Sequence, residues 1–326
     1  MKILITGGAG FIGSHLVEYL LKEKHKITVI DNLSSGRLEN LKKNLKKINF
    51  VKADIHKTGR WSKNFRNIDI VYHLAALADI VPSIQKPNRY FDSNVIGTRN
   101  VINQVIKYKI PKIIYAASSS CYGIPKRYPT KENELLDPKY PYALTKMLGE
   151  EIILHFAKLY KFKATSLRLF NVYGPKSRTS GAYGAMFGVF LKQKIEKKPL
   201  TVVGNGKQTR DFTFVSDVVR AFGSCLKYNC RKQIINIGSG KTISVNKIVE
   251  LLKCKKVKIE KRPGEPDTTH ANIKLAKKEL RWSPKITIKE GIDNLLKDLD
   301  YWKRAPLWTP KKIKVATKDW FKHLND

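Results

Sequence analysis

Tyr142 and Lys146 are the residues whose types and spacing best suit proton transfer. The chain holds four Tyr-x-x-x-Lys patterns: Tyr108/Lys112, Tyr122/Lys126, Tyr142/Lys146 and Tyr228/Lys232. The first contains Pro111 and runs into an apolar segment. The second contains Gly123 and Pro125, and the fourth has neither a clear helix nor a glycine-rich site nearby. Only Tyr142 opens a sustained helical pattern, predicted through Lys158, in which residues i and i+4 share a face. A phenol ordinarily titrates at about 10. A nearby ammonium favours the phenolate, which takes a proton from an alcohol as hydride leaves the same carbon. Ser118, Ser119 and Ser120 end an apolar run ahead of Tyr142, and a serine there would hydrogen-bond the alcohol oxygen.

Chemistry of that kind needs a hydride acceptor. Residues 6–13 read TGGAGFIG, after a β-branched run and at the start of a helical pattern. Gly7, Gly10 and Gly13, with Phe11 and Ile12 between them, make a turn without Cβ atoms. The backbone then approaches a pyrophosphate closely, and the helix N-terminus holds the phosphates. Asp31 follows at close to the usual spacing of about 20 residues. Its carboxylate would accept bonds from the adenosine ribose and repel a 2′-phosphate, which favours NAD. Arg37 nearby is the feature that would suit NADP. Lys146 would then bind the nicotinamide ribose, and the oxidised ring would further favour the Tyr142 phenolate.

The elements that must position these groups alternate. Strands are predicted at Lys2–Thr6, Lys26–Ile30, Phe50–Asp54, Ile70–Leu74 and Lys112–Ala117, and helices at Phe11–Lys22 and Tyr90–Tyr108. Such alternation gives a parallel sheet covered on both faces. Ligands bind beyond the carboxyl ends of its strands, which puts the serines and the glycine loop on one edge. Past Thr165–Leu169 the rhythm changes. A glycine-rich stretch runs through Gly188. Strands (Leu200–Val203, Gln233–Ile237) then mix with helices (Val245–Leu252, Ile288–Trp302). The expected fold is α/β, a Rossmann-type doubly wound parallel sheet with a smaller C-terminal α/β substrate-binding region. Residues 1–170 would form the cofactor half, completed by later crossover segments, and 171–326 the substrate half.

The formal net charge is +36 over 326 residues. The basic residues are mostly lysine and are spread along the chain, densest at Leu41–Lys47 and Lys311–Lys314. Arginine, the bidentate reader of phosphate and guanine, is scarce. The expectation is a solvated basic surface that draws in a diphosphate-bearing substrate, with no specific nucleic-acid partner. Cys121, Cys225, Cys230 and Cys254 have no zinc or redox spacing and read as free thiols in a reducing compartment. The first apolar run is too short for a signal-peptide core, and no run nears the roughly 20 residues of a membrane span. A cytoplasmic protein with no membrane partner is expected.

The pieces TGGAGFIG, Asp31-Asn32, Ala53-Asp54-Ile55, His73-Leu74-Ala75-Ala76, Asn94-Val95-Ile96-Gly97-Thr98, SSSCYG, YALTK, RLFNVYGP, Arg210-Asp211 and Arg262-Pro263-Gly264 span nearly the whole chain. Together they resemble the extended short-chain dehydrogenase/reductase family, the nucleotide-sugar epimerases and dehydratases. The resemblance implies further cofactor contacts: Asn32, Asp54 and Ile55 toward the adenosine, Leu74, Ala75 and Ala76 at a strand end, and Asn94 as an internal polar position near it. It implies Asn171, Arg210 and Arg262 on the substrate diphosphate, where arginine suits paired phosphate oxygens. It also implies a homodimer through the helices Tyr90–Tyr108 and Tyr142–Lys158.

Family dehydratases resemble one another in an acid pair just before the Val-Tyr-Gly segment, which moves the C5 proton and the C6 hydroxyl. This chain has Ser119 and Ser120 there. The resemblance therefore implies a 4-epimerase acting through a transient 4-keto sugar on a UDP-hexose or UDP-N-acetylhexosamine. A 4,6-dehydratase is the alternative, and a non-catalytic NAD-binding or nucleic-acid-binding protein a more distant one. Asp79 departs from the familiar epimerases. It would grip a sugar hydroxyl, replace the missing acid or face solvent. The tail from Ala305, with Trp308 and Trp320, matches no family part and would cover the substrate side or serve an oligomer contact.

Overall fold

The computed structural model describes residues 1–177, 186–228, 230–231 and 233–324. Most of the glycine-rich stretch before Gly188, and Lys232 of the fourth Tyr-x-x-x-Lys pattern, lie outside them. The first half folds as β1 (Lys2–Thr6), α1 (Phe11–Lys22), β2 (Lys26–Asp31), β3 (Ile48–Lys52) and β4 (Ile70–His73). Then come α2 (Ile80–Gln85), α3 (Pro87–Tyr90), α4 (Gly97–Lys107), β5 (Lys112–Ser118), α5 (Pro141–Tyr160) and β6 (Lys163–Leu169). The strand Ile234–Ile237 returns to complete a seven-stranded sheet in the order Ile234–Ile237, β6, β5, β4, β1, β2, β3. Every pairing in it is parallel.

Side-chain alternation explains why these runs are apolar throughout. Ile3 and Ile5 of β1, with Ile114 of β5, face a core closed by α1 and the helix Val215–Lys227. Leu4, with Ile113 and Tyr115, faces the opposite core under α4 and α5. Both faces are covered, so both sets of alternate positions must be apolar. α5 seats closely on β5 because Gly149 has no Cβ; one built there would lie 2.6 Å from the Tyr115 hydroxyl. That contact sets the height of the helix carrying Tyr142 and Lys146.

A buried ion pair fixes the same helix to β6. Arg168 and Glu150 meet through Nε at 3.1 Å, and each side chain is 2% exposed. Glu150 also accepts from Ser166, and Arg168 donates to the Tyr122 hydroxyl at 2.9 Å and the Glu132 carbonyl at 3.0 Å. Removing one partner of such a pair leaves the other charged and uncompensated. Glu150→Ala is therefore expected to destabilise the fold by about 3–5 kcal/mol. Urea unfolding measures this, and a loss below about 1 kcal/mol would show that the pair is dispensable.

Three predicted elements are corrected. The third strand lies two positions earlier than Phe50–Asp54 and leaves Asp54 beyond its end. The single helix Tyr90–Tyr108 is broken by a wide turn over Phe91–Ile96, where Asn94 turns its amide to the backbone of Leu77. The helix Ile288–Trp302 divides into Ile288–Leu296, started by a Thr287/Glu290 capping box, and Asp300–Lys303.

In the second half, Leu200–Val203 pairs with Lys256–Ile259, and Thr209–Arg210 with Ile243–Ser244. Fully buried Asp211 accepts from the backbone of Gly240 at 3.1 Å and Ala271 at 3.0 Å, and from the Ser239 hydroxyl at 2.7 Å. It gathers the loops beside Arg210. All four cysteines are free thiols, but spacing hid one encounter: Cys225 and Cys230 hydrogen-bond each other.

Candidate active site

A cleft of about 590 Å³ opens beyond the carboxyl ends of β1, β2, β4, β5 and β6. Every site residue expected from the sequence lines it except Asn94.

At the cofactor end, the Gly7 N–H donates to the Ile30 carbonyl at 2.8 Å, and Gly10 to the Gly7 carbonyl at 3.2 Å. α1 then opens directly from Gly10. A Cβ on Gly13 would lie 2.2 Å from the Gly7 carbonyl oxygen, and one on Gly7, at φ +73°, 2.6 Å from the Ala75 nitrogen. The loop is thus packed as close as bare backbone permits. Asp31 is buried, which raises its pKa, while N–H bonds from Leu33 (2.8 Å) and Ala9 (2.9 Å) oppose that rise. A carboxylate has about four acceptor positions, so two remain for hydroxyl donors. Asn32 donates to Asp54 at 2.9 Å beside Ile55 on the same wall. Leu74, Ala75 and Ala76 continue that wall, and the Ala75 N–H donates to Thr6 Oγ1 at 3.3 Å. A close-packed glycine turn, a helix N-terminus and a ribose-accepting acid fit a dinucleotide. Arg37 lies against the Tyr301 ring, 5.9 Å from its centroid.

Asn94 is an internal polar position, 1% exposed, beside the loop that follows β4. Its amide bonds the Leu77 backbone at 2.8 and 3.0 Å and Thr145 Oγ1 at 3.0 Å. It ties the loop after β4 to the helix of Tyr142. The run Asn94–Thr98 was legible, but which partner a buried amide chooses was not.

At the centre, the Tyr142 hydroxyl hydrogen-bonds Ser118 and Ser120, whose Oγ atoms are themselves 2.8 Å apart. Ser119 lines the cleft but is not among the partners of Tyr142. Burial raises the Tyr142 pKa; the Ser118 bond opposes it, and the Asp79 charge adds to it. Lys146 lies one turn along α5, buried, with its ammonium 4.1 Å from the Tyr115 ring centroid. Burial brings its pKa down to about 7 against the pull of Glu150. Burial is the largest influence on both groups. Asp79, at the start of α2, is 4% exposed and lines the cleft. The solvent-facing reading of this residue is excluded.

At the far end, Arg210 meets Glu265 at 2.7 Å and Arg262 meets it at 3.5 Å. One carboxylate thus holds two guanidinium groups toward the same space. Asn171 Oδ1 accepts from the Thr269 hydroxyl at 2.7 Å. Two lining residues, Glu265 and Tyr140, escaped the sequence reading. Glu265 was findable as the acid directly after Arg-Pro-Gly. Tyr140, stacked on Tyr142 with centroids 6.4 Å apart, had only its nearness in sequence. Trp320, named from the sequence as part of a tail that would cover the substrate side or serve an oligomer contact, lines the cleft. Among the described residues there is no cluster of His, Cys, Asp and Glu able to hold a metal. None of their helices is long and apolar enough to cross a membrane.

Residues 3–238 match the NAD dependent epimerase/dehydratase family. The UDP-glucuronate 4-epimerase of Thermodesulfobacterium geofontis is 34% identical, over 96% of this chain and 99% of its own. The crystal structure of a UDP-glucose 4-epimerase from Thermotoga maritima with UDP-glucose superposes with a TM-score of 0.86, at 32% identity, covering 93% of this chain and 99% of that one. A UDP-N-acetylglucosamine 4-epimerase from Methanobrevibacter ruminantium, in complex with UDP-N-acetylmuramic acid, gives a TM-score of 0.84 at 29% identity, covering 91% and 98%. The glycine cradle, the serine-tyrosine-lysine group and these matches agree: the chain belongs to the NAD-dependent epimerase/dehydratase family.

Proposed function

We propose that this protein is an NAD-dependent nucleotide-sugar 4-epimerase that acts on a UDP-hexose or UDP-N-acetylhexosamine through a transient 4-keto sugar. The observation that carries this reading is the Tyr142 hydroxyl bonded to Ser118 and Ser120 on the cleft wall, with serines where a dehydratase would need acids.

Bound NAD supplies the hydride acceptor and donor. Tyr142 takes the proton from the C4 hydroxyl as hydride leaves C4, and later returns it to the same oxygen. Ser118 and Ser120 hold the reacting oxygen and the phenol in line. Lys146 stabilises the phenolate charge and holds the nicotinamide ribose. Gly7, Gly10 and Gly13, with the α1 N-terminus, seat the pyrophosphate, and Asp31 holds the adenosine ribose. Asn171, Arg210 and Arg262 grip the substrate diphosphate while the keto sugar turns its other face to C4 reduction. Asp79 holds a sugar hydroxyl. In this reading residues 1–170, with the later segments that return to the sheet, form the cofactor half, and 171–326 otherwise form the sugar-nucleotide half. A cytoplasmic homodimer through α4 and α5 completes it.

A 4,6-dehydratase is the second reading, favoured by one observation: Asp79 is a buried acid whose charge reaches Tyr142. Incubation with NAD and UDP-glucose or UDP-N-acetylglucosamine, followed by mass and proton NMR, separates the two. An isomer of unchanged mass is expected. A product lighter by one water would overturn the epimerase reading.

A further inference from the structure

The tail turns back across the cleft as two short helices, Pro310–Ala316 and Lys318–His323. Ile313 and Trp320 project from them into the cleft wall. Trp320 is only 1% exposed and touches three segments at once. Its Nε1–H donates to the Pro263 carbonyl at 2.7 Å, and the Arg262 guanidinium lies 5.9 Å from its ring. On another side the ring meets Tyr140 at 6.1 Å between centroids, and Tyr140 stacks on Tyr142 at an interplanar angle of 7°. It also packs with Ile80 and Val81 of α2, next to Asp79. Asp319 fastens this arrangement by accepting from Gln85 of α2 at 2.7 Å.

We propose that Trp320 is a positioning residue that ties the Arg262 loop to the Tyr140–Tyr142 stack, and that the tail helices form the fixed wall across the sugar end of the cleft. The proposal rests on the roles assigned above to Arg262 and Tyr142. An indole suits this task because its apolar body fills space while its single N–H fixes direction. The N–H serves the nucleotide side through Pro263, and the ring serves the chemical side through Tyr140. The two connections are therefore separable by substitution.

Three measurements on wild type, Trp320→Phe and Trp320→Ala test this: calorimetric binding of UDP, steady-state turnover of UDP-glucose, and thermal midpoint. Phe keeps a ring against Tyr140 and loses the bond to Pro263. Its UDP affinity is expected to fall roughly fivefold, the size of one hydrogen bond, and its KM to rise much more than its kcat falls. Ala loses both connections, so kcat should fall about tenfold further, with Phe acting as the partial rescue. UDP affinity in Trp320→Phe equal to that of wild type would overturn the tie to the arginine loop. Equal kcat values in the two variants would overturn the tie to Tyr142. If Trp320→Ala does not fold, Trp320→Phe decides alone through UDP affinity and the KM against kcat split. A wild type that binds UDP yet turns over no UDP-sugar defeats the functional reading instead, and the UDP titrations still judge the tie.

Discussion

Tyr142→Phe is expected to lower epimerisation about a thousandfold while leaving the fold and UDP binding intact. Loss of a positioned acid–base group typically costs about a hundred- to ten-thousandfold. Among the described residues, no other group lining the centre of the cleft is a ready substitute. Ser118 and Ser120 are alcohols whose proton is hard to remove, and their Oγ atoms already hydrogen-bond each other at 2.8 Å. Lys146, brought down to about 7, could exchange a proton near neutrality, but it is buried under Tyr115 rather than bonded to the serines. Asp79 is a buried acid whose charge reaches Tyr142. Proton NMR of a UDP-glucose and UDP-galactose mixture measures the rate directly. Retention of more than about a tenth of wild-type turnover would remove Tyr142 from its assigned role and pass it to Asp79.

Gly13→Ala should abolish tight NAD binding, with a loss of at least about a hundredfold. The added methyl would sit 2.2 Å from the Gly7 carbonyl oxygen and 2.8 Å from the Gly8 Cα. Both are backbone atoms, so no side chain can swing aside, and the loop itself must open. The glycine turn and the first turn of α1 would then part, and the N–H groups needed to face a pyrophosphate would lose their common direction. Overpacking in a well-filled region ordinarily costs about 1–3 kcal/mol. A hundredfold loss of affinity is about 2.7 kcal/mol, so affinity should fall at least as far as stability usually does. Titration of the purified apoprotein with NAD, beside a thermal melt, reads both. NAD affinity within about threefold of wild type would show that the turn is looser than its contacts imply.

How much of this was legible depends on whether a local rule had a competitor. β1, the glycine turn and α1 follow from a β-branched run, three glycines and 3.6-residue spacing, and nothing in the tertiary structure opposes them. α5 was legible for the same reason, and its Tyr142 and Lys146 reach the cleft. β3 slipped because it is an edge strand with Asn49 and Lys52 inside it, so its apolar signal is weak. The Phe91–Ile96 turn was illegible: the bond that the Leu77 N–H donates to Asn94 within it links residues 17 apart, beyond any local pattern. Asp79 could be named but not placed, since burial of an acid depends on what lies over it. Trp320 belongs to the same class. A tryptophan near a chain end carries no sequence mark of the wall it joins.

That wall has a consequence for biosynthesis. Ribosomal synthesis delivers the cradle of Gly7–Gly13 first, Tyr142 and Lys146 midway, Arg262 much later and Trp320 later still. Domains fold as their residues emerge, so a nascent chain stalled before residue 310 could already seat a dinucleotide and present its tyrosine. Its sugar end would still stand open to water. The sugar end of the cleft is thus closed only after its cofactor end is built, because Ile313 and Trp320 follow every residue of the glycine cradle along the chain.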